Sequence, residues 1–86
     1  MHVQLHQKVA LVTDSTDGFG EAICLALAQA GAHVFIHAFR DESKAKSISE
    51  DIEKLGGQST VVINPLETPR DATLMLRQVI RYMRQA

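Results

Sequence analysis

Three short apolar runs alternate along the chain with three segments of helical periodicity. The runs are Val9–Val12, Ala32–Ala38 and Ser59–Ile63, and turn-forming residues follow the first and the third. A short, continuous apolar run is typical of a strand that is buried on both faces. Because a periodic segment separates each run from the next, consecutive strands are expected to run parallel, with one helix crossing between them. The alternation predicts an α/β fold.

The three periodic segments predict helices over Gly20–Ala30, Asp41–Leu55 and Asp71–Gln85. The apolar residues that set the periods are Ile23, Leu27 and Ala30, then Ala45, Ile48, Ile52 and Leu55, and finally Leu74, Leu76, Val79, Ile80 and Met83. Gly31 stands where the end of a helix requires a left-handed residue. We therefore expect residues 1–86 to form a single domain. It is half of a Rossmann fold, β-α-β-α-β-α, with a three-stranded parallel sheet in the order 3-2-1.

Composition excludes several classes of function. Nine basic residues against ten acidic ones give a formal net charge of -1, so neither nucleic acid nor an anionic membrane surface is expected as a partner. No apolar stretch is long enough to span a membrane, and no secretory leader is visible at the N-terminus. The single Cys24 predicts a reducing, cytoplasmic environment and excludes a multi-cysteine zinc site. No metal site is expected.

A turn that contains two glycines joins the first predicted strand to the first predicted helix. Glycine at this place lets the backbone approach an anion closely, and the free amides of the helix N-terminus point towards it. Gly18 and Gly20 are suitably placed for such contact with a pyrophosphate. A tight turn without any ligand accounts for the same two glycines, so the spacing alone leaves both interpretations open.

The wider sequence resembles the N-terminal third of the short-chain dehydrogenase/reductases, and most closely the 3-oxoacyl-acyl-carrier-protein reductases. The family signature Thr-Gly-x-x-x-Gly-x-Gly corresponds here to Thr13-Asp14-Ser15-Thr16-Asp17-Gly18-Phe19-Gly20. The resemblance covers nearly the whole chain and includes Gly56–Gly57 before the third strand. It implies a Rossmann-type, dinucleotide-binding oxidoreductase domain.

The resemblance also implies a set of cofactor-binding residues: Thr13, Ser15, Gly18, Phe19, Gly20, Arg40 and Asn64. Arg40 resembles the guanidinium that holds the 2′-phosphate in NADP-dependent members, and no acid ends the second strand, so NADP is favoured over NAD. Asn64 occupies the region where the family has an aspartate that contacts the adenine. The family's catalytic serine and Tyr-x-x-x-Lys pair have no counterpart here, because no lysine follows Tyr82 by four residues. No catalytic residue is therefore assigned.

Two features favour a different function. Asp14 replaces the first glycine of the signature, and at roughly 5 Å and an effective dielectric constant near 20 its repulsion of one phosphate charge is about 3 kcal/mol. The strand Val9–Val12 would form an open, apolar edge of the sheet, which another copy of the chain or another protein would complete. The alternative hypothesis is therefore a non-catalytic interaction or assembly module with a degenerate nucleotide site.

Overall fold

The computed structural model describes residues 5–13 and 16–85, which form three strands and three helices in strict alternation. The elements are β1 (Val9–Val12), α1 (Gly18–Gln29), β2 (His33–Ala38), α2 (Glu42–Lys54), β3 (Gln58–Ile63) and α3 (Pro69–Gln85). None of the described helices is long and apolar enough to cross a membrane. Within the same residues, no three His, Cys, Asp or Glu side chains come together as a metal site would require.

All strand pairs in the sheet are parallel, and the order is β1-β2-β3. Val9 lies opposite His33 at one end of the sheet, and Ala38 lies opposite Ile63 at the other. The predicted half Rossmann fold and its 3-2-1 order are thereby confirmed. Among the described strands β1 pairs with β2 alone, so the outer side of β1 is an edge of the sheet.

The larger core lies between the sheet and the pair α1 and α2. Its buried members are Cys24, Ala28, Ala32, Val34, Ile36, Ala38, Ala45, Ile48 and Ile52. Alanines on α1 let this helix approach the sheet closely, whereas α2 contributes the two isoleucines that its periodicity predicted. The Lys44 ammonium group lies 3.1 Å from the Glu21 carboxylate and joins α2 to α1 at the surface.

Helix α3 covers the opposite face of the sheet through a smaller cluster. Phe35 and Val62 of the sheet pack there against Met75 and Val79, all at most 5% exposed. Of the residues that set the period of α3, Val79 is buried, whereas Leu74, Leu76, Ile80 and Met83 are 45–50% exposed; Met75, which is not in that set, is 3% exposed. The apolar face of this helix is broader than its contact with the sheet, so periodicity alone does not select the stripe that is buried.

The start of α3 is fixed two residues earlier than predicted. Pro69 occupies the first position, where its missing amide hydrogen costs nothing. The Asp71 carboxylate accepts hydrogen bonds from the amides of Glu67 at 3.0 Å and Thr68 at 3.1 Å, and the Thr68 hydroxyl accepts one from the Asp71 amide. The bond from the Glu67 amide is the main reason that the pKa of Asp71 lies below its usual value.

α1 and α2 are each followed by a glycine with a positive φ, a backbone conformation that other residues rarely adopt. Gly31 has φ +102° and Gly56 has φ +80°. A Cβ atom at Gly31 would also lie 2.7 Å from Nδ1 of His6, too close for ordinary contact. The left-handed residue predicted after α1 is confirmed, and the positive φ favours glycine at Gly31.

His33 links β2 to β3 on the α3 side of the sheet. Its ring stacks on Phe35 at a centroid distance of 4.8 Å, and its Nε2 lies 2.9 Å from the Thr60 hydroxyl. Burial lowers the pKa of His33 below 6.5, because the charged ring would lose part of its hydration.

The lowered pKa predicts a specific pH dependence of stability. Since the unfolded chain binds a proton at His33 more readily, the stabilisation is complete above pH 6.5 and is lost as the pH falls below that value. We expect the urea concentration at the midpoint of unfolding to decrease when the pH is lowered from 7.5 to 5.5. His33→Gln should reduce the dependence of this midpoint on pH. A slope unchanged in the variant would contradict the assignment to His33.

Candidate functional site

The turn after β1 leads directly into α1, as the signature predicts. Thr13 is exposed at the end of the strand, and Gly18 is the first residue of the helix. Phe19 is 84% exposed, whereas Gly20 is buried. Ser15 lies outside the described residues, as does Asp14. The predicted residues that are described thus occupy the start of α1 and the strand end before it.

Asp17 caps the N-terminus of α1. Its Oδ1 atom accepts a hydrogen bond of 2.6 Å from the Gly20 amide, and its carbonyl oxygen accepts one of 3.0 Å from the Glu21 amide. Aspartate is a preferred residue at this position because it satisfies an amide that has no partner inside the helix. The helix therefore begins at Gly18 and not at Gly20. One amide of the expected pyrophosphate site already has a carboxylate as its acceptor.

Space remains beside Gly18 despite this cap. A Cβ atom added at Gly18 would meet no heavy atom of the described residues within 4 Å. The amides of the first helical residues have no acceptor within the helix itself, and the positive end of the helix dipole lies there. The arrangement is able to hold an anion at Gly18 and Phe19, beside the carboxylate of Asp17.

Arg40 and Phe39 follow the end of β2. The Arg40 guanidinium carbon lies 4.7 Å from the centre of the Phe39 ring, a cation–π contact. Arg40 is exposed, and no described carboxylate lies within ion-pair distance of it. Phe39 borders a hollow of about 370 Å³, and Arg40 borders a second one of about 590 Å³. The guanidinium group is therefore positioned and remains available to an anionic ligand.

Asn64 follows β3 and is joined to β2 at two points. Its amide donates to the Ala38 carbonyl at 3.3 Å, and its own carbonyl accepts from Nε2 of His37 at 2.9 Å. His37 is 1% exposed and lines the 370 Å³ hollow together with Phe39 and Leu66. The Asn64 Oδ1 atom is buried and has no hydrogen-bond partner among the described residues. A buried acceptor in this state favours a ligand that donates to it.

The sheet brings these groups to one side of the molecule. Since all three strands are parallel, the turn before α1, Arg40 and Asn64 all follow carboxyl ends at the same edge. Ligands of open α/β sheets bind at this edge. The structure thus places the described members of the predicted set on one edge, and Ser15 is the member whose place is not described.

Two residues at this edge had no predicted role in holding the site. Asp17 could have been found, because an aspartate directly before a helix is a recognisable cap signal. A hydrogen-bond partner of His37, the Asn64 carbonyl, is 27 residues away along the chain, so no local pattern could indicate it.

Comparison with known proteins agrees with this geometry. The short chain dehydrogenase family matches residues 8–85. The chain is 45% identical over 58 residues to short-chain dehydrogenase/reductase FrzI of Cladobotryum sp, covering 67% of the chain and 22% of that relative. It is 33% identical over 73 residues to the short-chain dehydrogenase/reductase homolog YusS of Bacillus subtilis strain 168, covering 85% of the chain and 67% of YusS.

A solved structure extends the comparison to three dimensions. The crystal structure of landomycin C-6 ketoreductase LanV with bound NADP and rabelomycin is 34% identical and superposes with a TM-score of 0.87. The match covers 96% of this chain and 34% of LanV. An α/β domain with a glycine turn at the carboxyl edge of its sheet is the arrangement found in dinucleotide-binding proteins of the Rossmann type. The chain belongs to the short-chain dehydrogenase family, and it spans about a third of LanV and about a fifth of FrzI.

Proposed function

We propose that this chain is an NADP(H)-binding half-domain of a short-chain oxidoreductase. The observation that carries the proposal is Arg40, an exposed guanidinium without a described carboxylate partner, held over Phe39 at the ligand-binding edge. A planar guanidinium is well suited to a 2′-phosphate, which distinguishes NADP from NAD. LanV, crystallised with NADP, supports the same cofactor.

The residues present fit such a cofactor in three places. Gly18 leaves open space for a pyrophosphate next to the first amides of α1. Arg40 would hold the 2′-phosphate, and the orphaned Asn64 Oδ1 would accept a hydrogen bond from the adenine amino group. When bound, the cofactor supplies a hydride for reduction of a carbonyl substrate. This chain supplies binding and orientation, since its sequence holds no Tyr-x-x-x-Lys pair.

Binding is tested by calorimetric titration of the 86-residue chain with NADPH and NADH at low salt. We expect a Kd for NADPH at or below about 100 µM, equivalent to roughly 5.5 kcal/mol. The absence of any heat up to millimolar NADPH would contradict the proposal. We also place the protein in the cytoplasm, because the sequence holds a single cysteine and therefore no disulfide bond within the chain.

Removal of the Arg40 guanidinium gives a more selective test. Charge-assisted hydrogen bonds are worth about 2 kcal/mol, so Arg40→Gln is expected to weaken NADPH binding about thirtyfold. Binding of NADH, which lacks the 2′-phosphate, should change by less than about threefold, within the range of an ordinary surface substitution. Competitive titration of both nucleotides against the variant measures the ratio.

Lys46→Gln provides the matched control for this variant. Lys46 borders the same 590 Å³ hollow, but its ammonium group is 3.3 Å from the Glu42 carboxylate. Its removal deletes a nearby positive charge without touching the phosphate site that we propose. Equal losses of NADPH binding in the two variants would show a general charge effect and would contradict a specific role of Arg40.

A second candidate function is a non-catalytic interaction module. Asp14 in the signature favours it, and so do the apolar side chains of α3, which lie half exposed beside an open sheet edge. Under this hypothesis the fold is retained for assembly with another copy or another protein. Light scattering of the same sample at high concentration tests the second function, since it predicts a dimer or a larger assembly. A stable monomer that gives no heat with NADPH would contradict both functions.

A further inference from the structure

The main chain of Asn64 is engaged by β2, whereas its side-chain oxygen is not engaged at all. The main-chain N–H donates to the Ala38 carbonyl at 3.3 Å, and the main-chain carbonyl accepts from Nε2 of His37 at 2.9 Å. The side-chain Oδ1 atom is buried and has no hydrogen-bond partner among the described residues. Because buried polar atoms are nearly always paired in folded proteins, this atom indicates a contact with a ligand.

The sheet holds Asn64 in place. A carbonyl oxygen only accepts, so Nε2 of His37 carries the proton of the hydrogen bond that joins the two residues. His37 is 1% exposed and lies within β2, and Ala38 pairs with Ile63, the residue directly before Asn64. A residue that is fixed by two strands presents its side chain more precisely than one in a mobile loop. Asn64 is therefore suited to select between ligands.

A carboxamide side chain can either accept or donate a hydrogen bond. Its Oδ1 accepts and its Nδ2 donates, and a half-turn about the last torsion exchanges the two with little change in shape. Aspartate, which the family resemblance implies in this region, is an acceptor only when it is ionised. Asn64 therefore adds a donor that the aspartate lacks.

That added donor matters at the 6-position of a purine base. Adenine carries an amino group there and donates, whereas a 6-oxopurine such as hypoxanthine carries an oxygen and accepts. A carboxylate facing the oxygen would bring two acceptors together and leave both without a hydrogen. A carboxamide can turn and donate to the oxygen. The residue at position 64 thus decides whether a 6-oxopurine is rejected.

The hollow next to His37 contains no group that requires adenine. Its volume of about 370 Å³ lies in the usual range for small-molecule sites. Phe39 and Leu66 line it with apolar surface, and Nε2 of His37 is engaged by Asn64. Glu67 is the acidic residue in the lining. Its carboxylate accepts only, which suits the hydrogen that hypoxanthine carries on N1 and adenine does not.

We propose that Asn64 makes the base site tolerant of 6-oxopurines, so that the chain binds a nicotinamide dinucleotide carrying hypoxanthine about as tightly as one carrying adenine. With adenine, Oδ1 of Asn64 accepts from the 6-amino group. With hypoxanthine, the rotated carboxamide donates from Nδ2 to the 6-oxygen. The inference rests on the proposed function, since it concerns the base of the same cofactor.

Paired calorimetric titrations of the 86-residue chain test this tolerance. The two ligands are NADPH and reduced nicotinamide hypoxanthine dinucleotide phosphate, which differs from NADPH only in its purine base. We expect their Kd values to differ by less than about threefold, because one hydrogen bond replaces another. A preference of about tenfold or more for NADPH would overturn the inference.

Asn64→Asp shows whether position 64 is what reads the base. The variant should bind NADPH within about threefold of the unchanged chain, and it should bind the hypoxanthine cofactor at least about tenfold more weakly, because two acceptors then face each other. Asn64→Leu has a similar size and no polar atom, so it should weaken both ligands to a similar extent. Circular dichroism checks that both variants keep the fold.

Arg40→Gln is the matched control, because it acts on the 2′-phosphate that both ligands share. It should weaken both by the same factor and leave the ratio of their Kd values unchanged. A ratio that Asn64→Asp does not alter would overturn the inference, since the base would then not be read at this position.

The titrations also separate this inference from the proposed function. Binding of NADPH with rejection of the hypoxanthine cofactor would contradict the role of Asn64 and leave the cofactor site intact. If neither ligand binds, the proposed function fails, and the tolerance of the base site fails with it.

Discussion

Phe35→Ala is expected to destabilise the chain more than any other single substitution on the α3 side of the sheet. The Phe35 ring is 1% exposed, stacks on His33 and lies 6.0 Å from the ring of Tyr82. It also packs against Met75 and Val79, the only buried apolar side chains on the described part of α3. Removal of a buried phenylalanine ring costs about 3–5 kcal/mol, because neighbouring groups close the cavity only in part.

That cost is large for a chain of this length. A typical stability of roughly 0.05–0.15 kcal/mol per residue gives about 4–13 kcal/mol for the whole chain. Urea unfolding monitored by circular dichroism measures the loss as a shift of the midpoint. Phe19→Ala is the matched control, since its ring is 84% exposed and its removal should cost less than about 0.5 kcal/mol. Equal midpoints would show that the α3 cluster contributes nothing to stability.

The fold was predictable from the sequence because its local signals agree with one another. Short apolar strands, helical periods in α1 and α2 and a left-handed glycine at Gly31 all specify the same alternation. The stripe of α3 that contacts the sheet was not predictable, since the apolar face of this helix is broader than the contact. Only the shape of the sheet face, with Phe35 and Val62, selects Met75 and Val79 as the contact.

The candidate site was predictable to a smaller extent. Glycines, a basic residue after β2 and a polar residue after β3 are local features, and they predict which loops meet at the carboxyl edge. The hydrogen bond from His37 to the Asn64 carbonyl depends on the register of β2 against β3, which the sequence pattern does not encode. The orphaned Oδ1 of Asn64 likewise follows from burial in the folded chain.

Asp14→Gly is expected to strengthen NADPH binding more than any other substitution near α1. The substitution removes a carboxylate from the signature, where at roughly 5 Å and an effective dielectric constant near 20 it repels a phosphate charge by about 3 kcal/mol. Full recovery of that energy would lower the Kd about a hundredfold. Calorimetric titration at 20 mM and 300 mM NaCl measures it, and the gain should shrink at the higher salt because screening weakens the repulsion.

Two further variants separate the causes of such a gain. Asp14→Asn removes the charge without providing glycine, so it should recover the electrostatic part alone. Asp17→Asn retains an acceptor for the Gly20 amide and therefore the cap of α1, and it reports the effect of the second carboxylate. If Asp14→Gly leaves NADPH binding unchanged, repulsion by Asp14 is not what weakens the site, and the interaction module becomes the better description. If affinity rises in glycine and asparagine variants alike, the nucleotide site is intact and only its charge has changed.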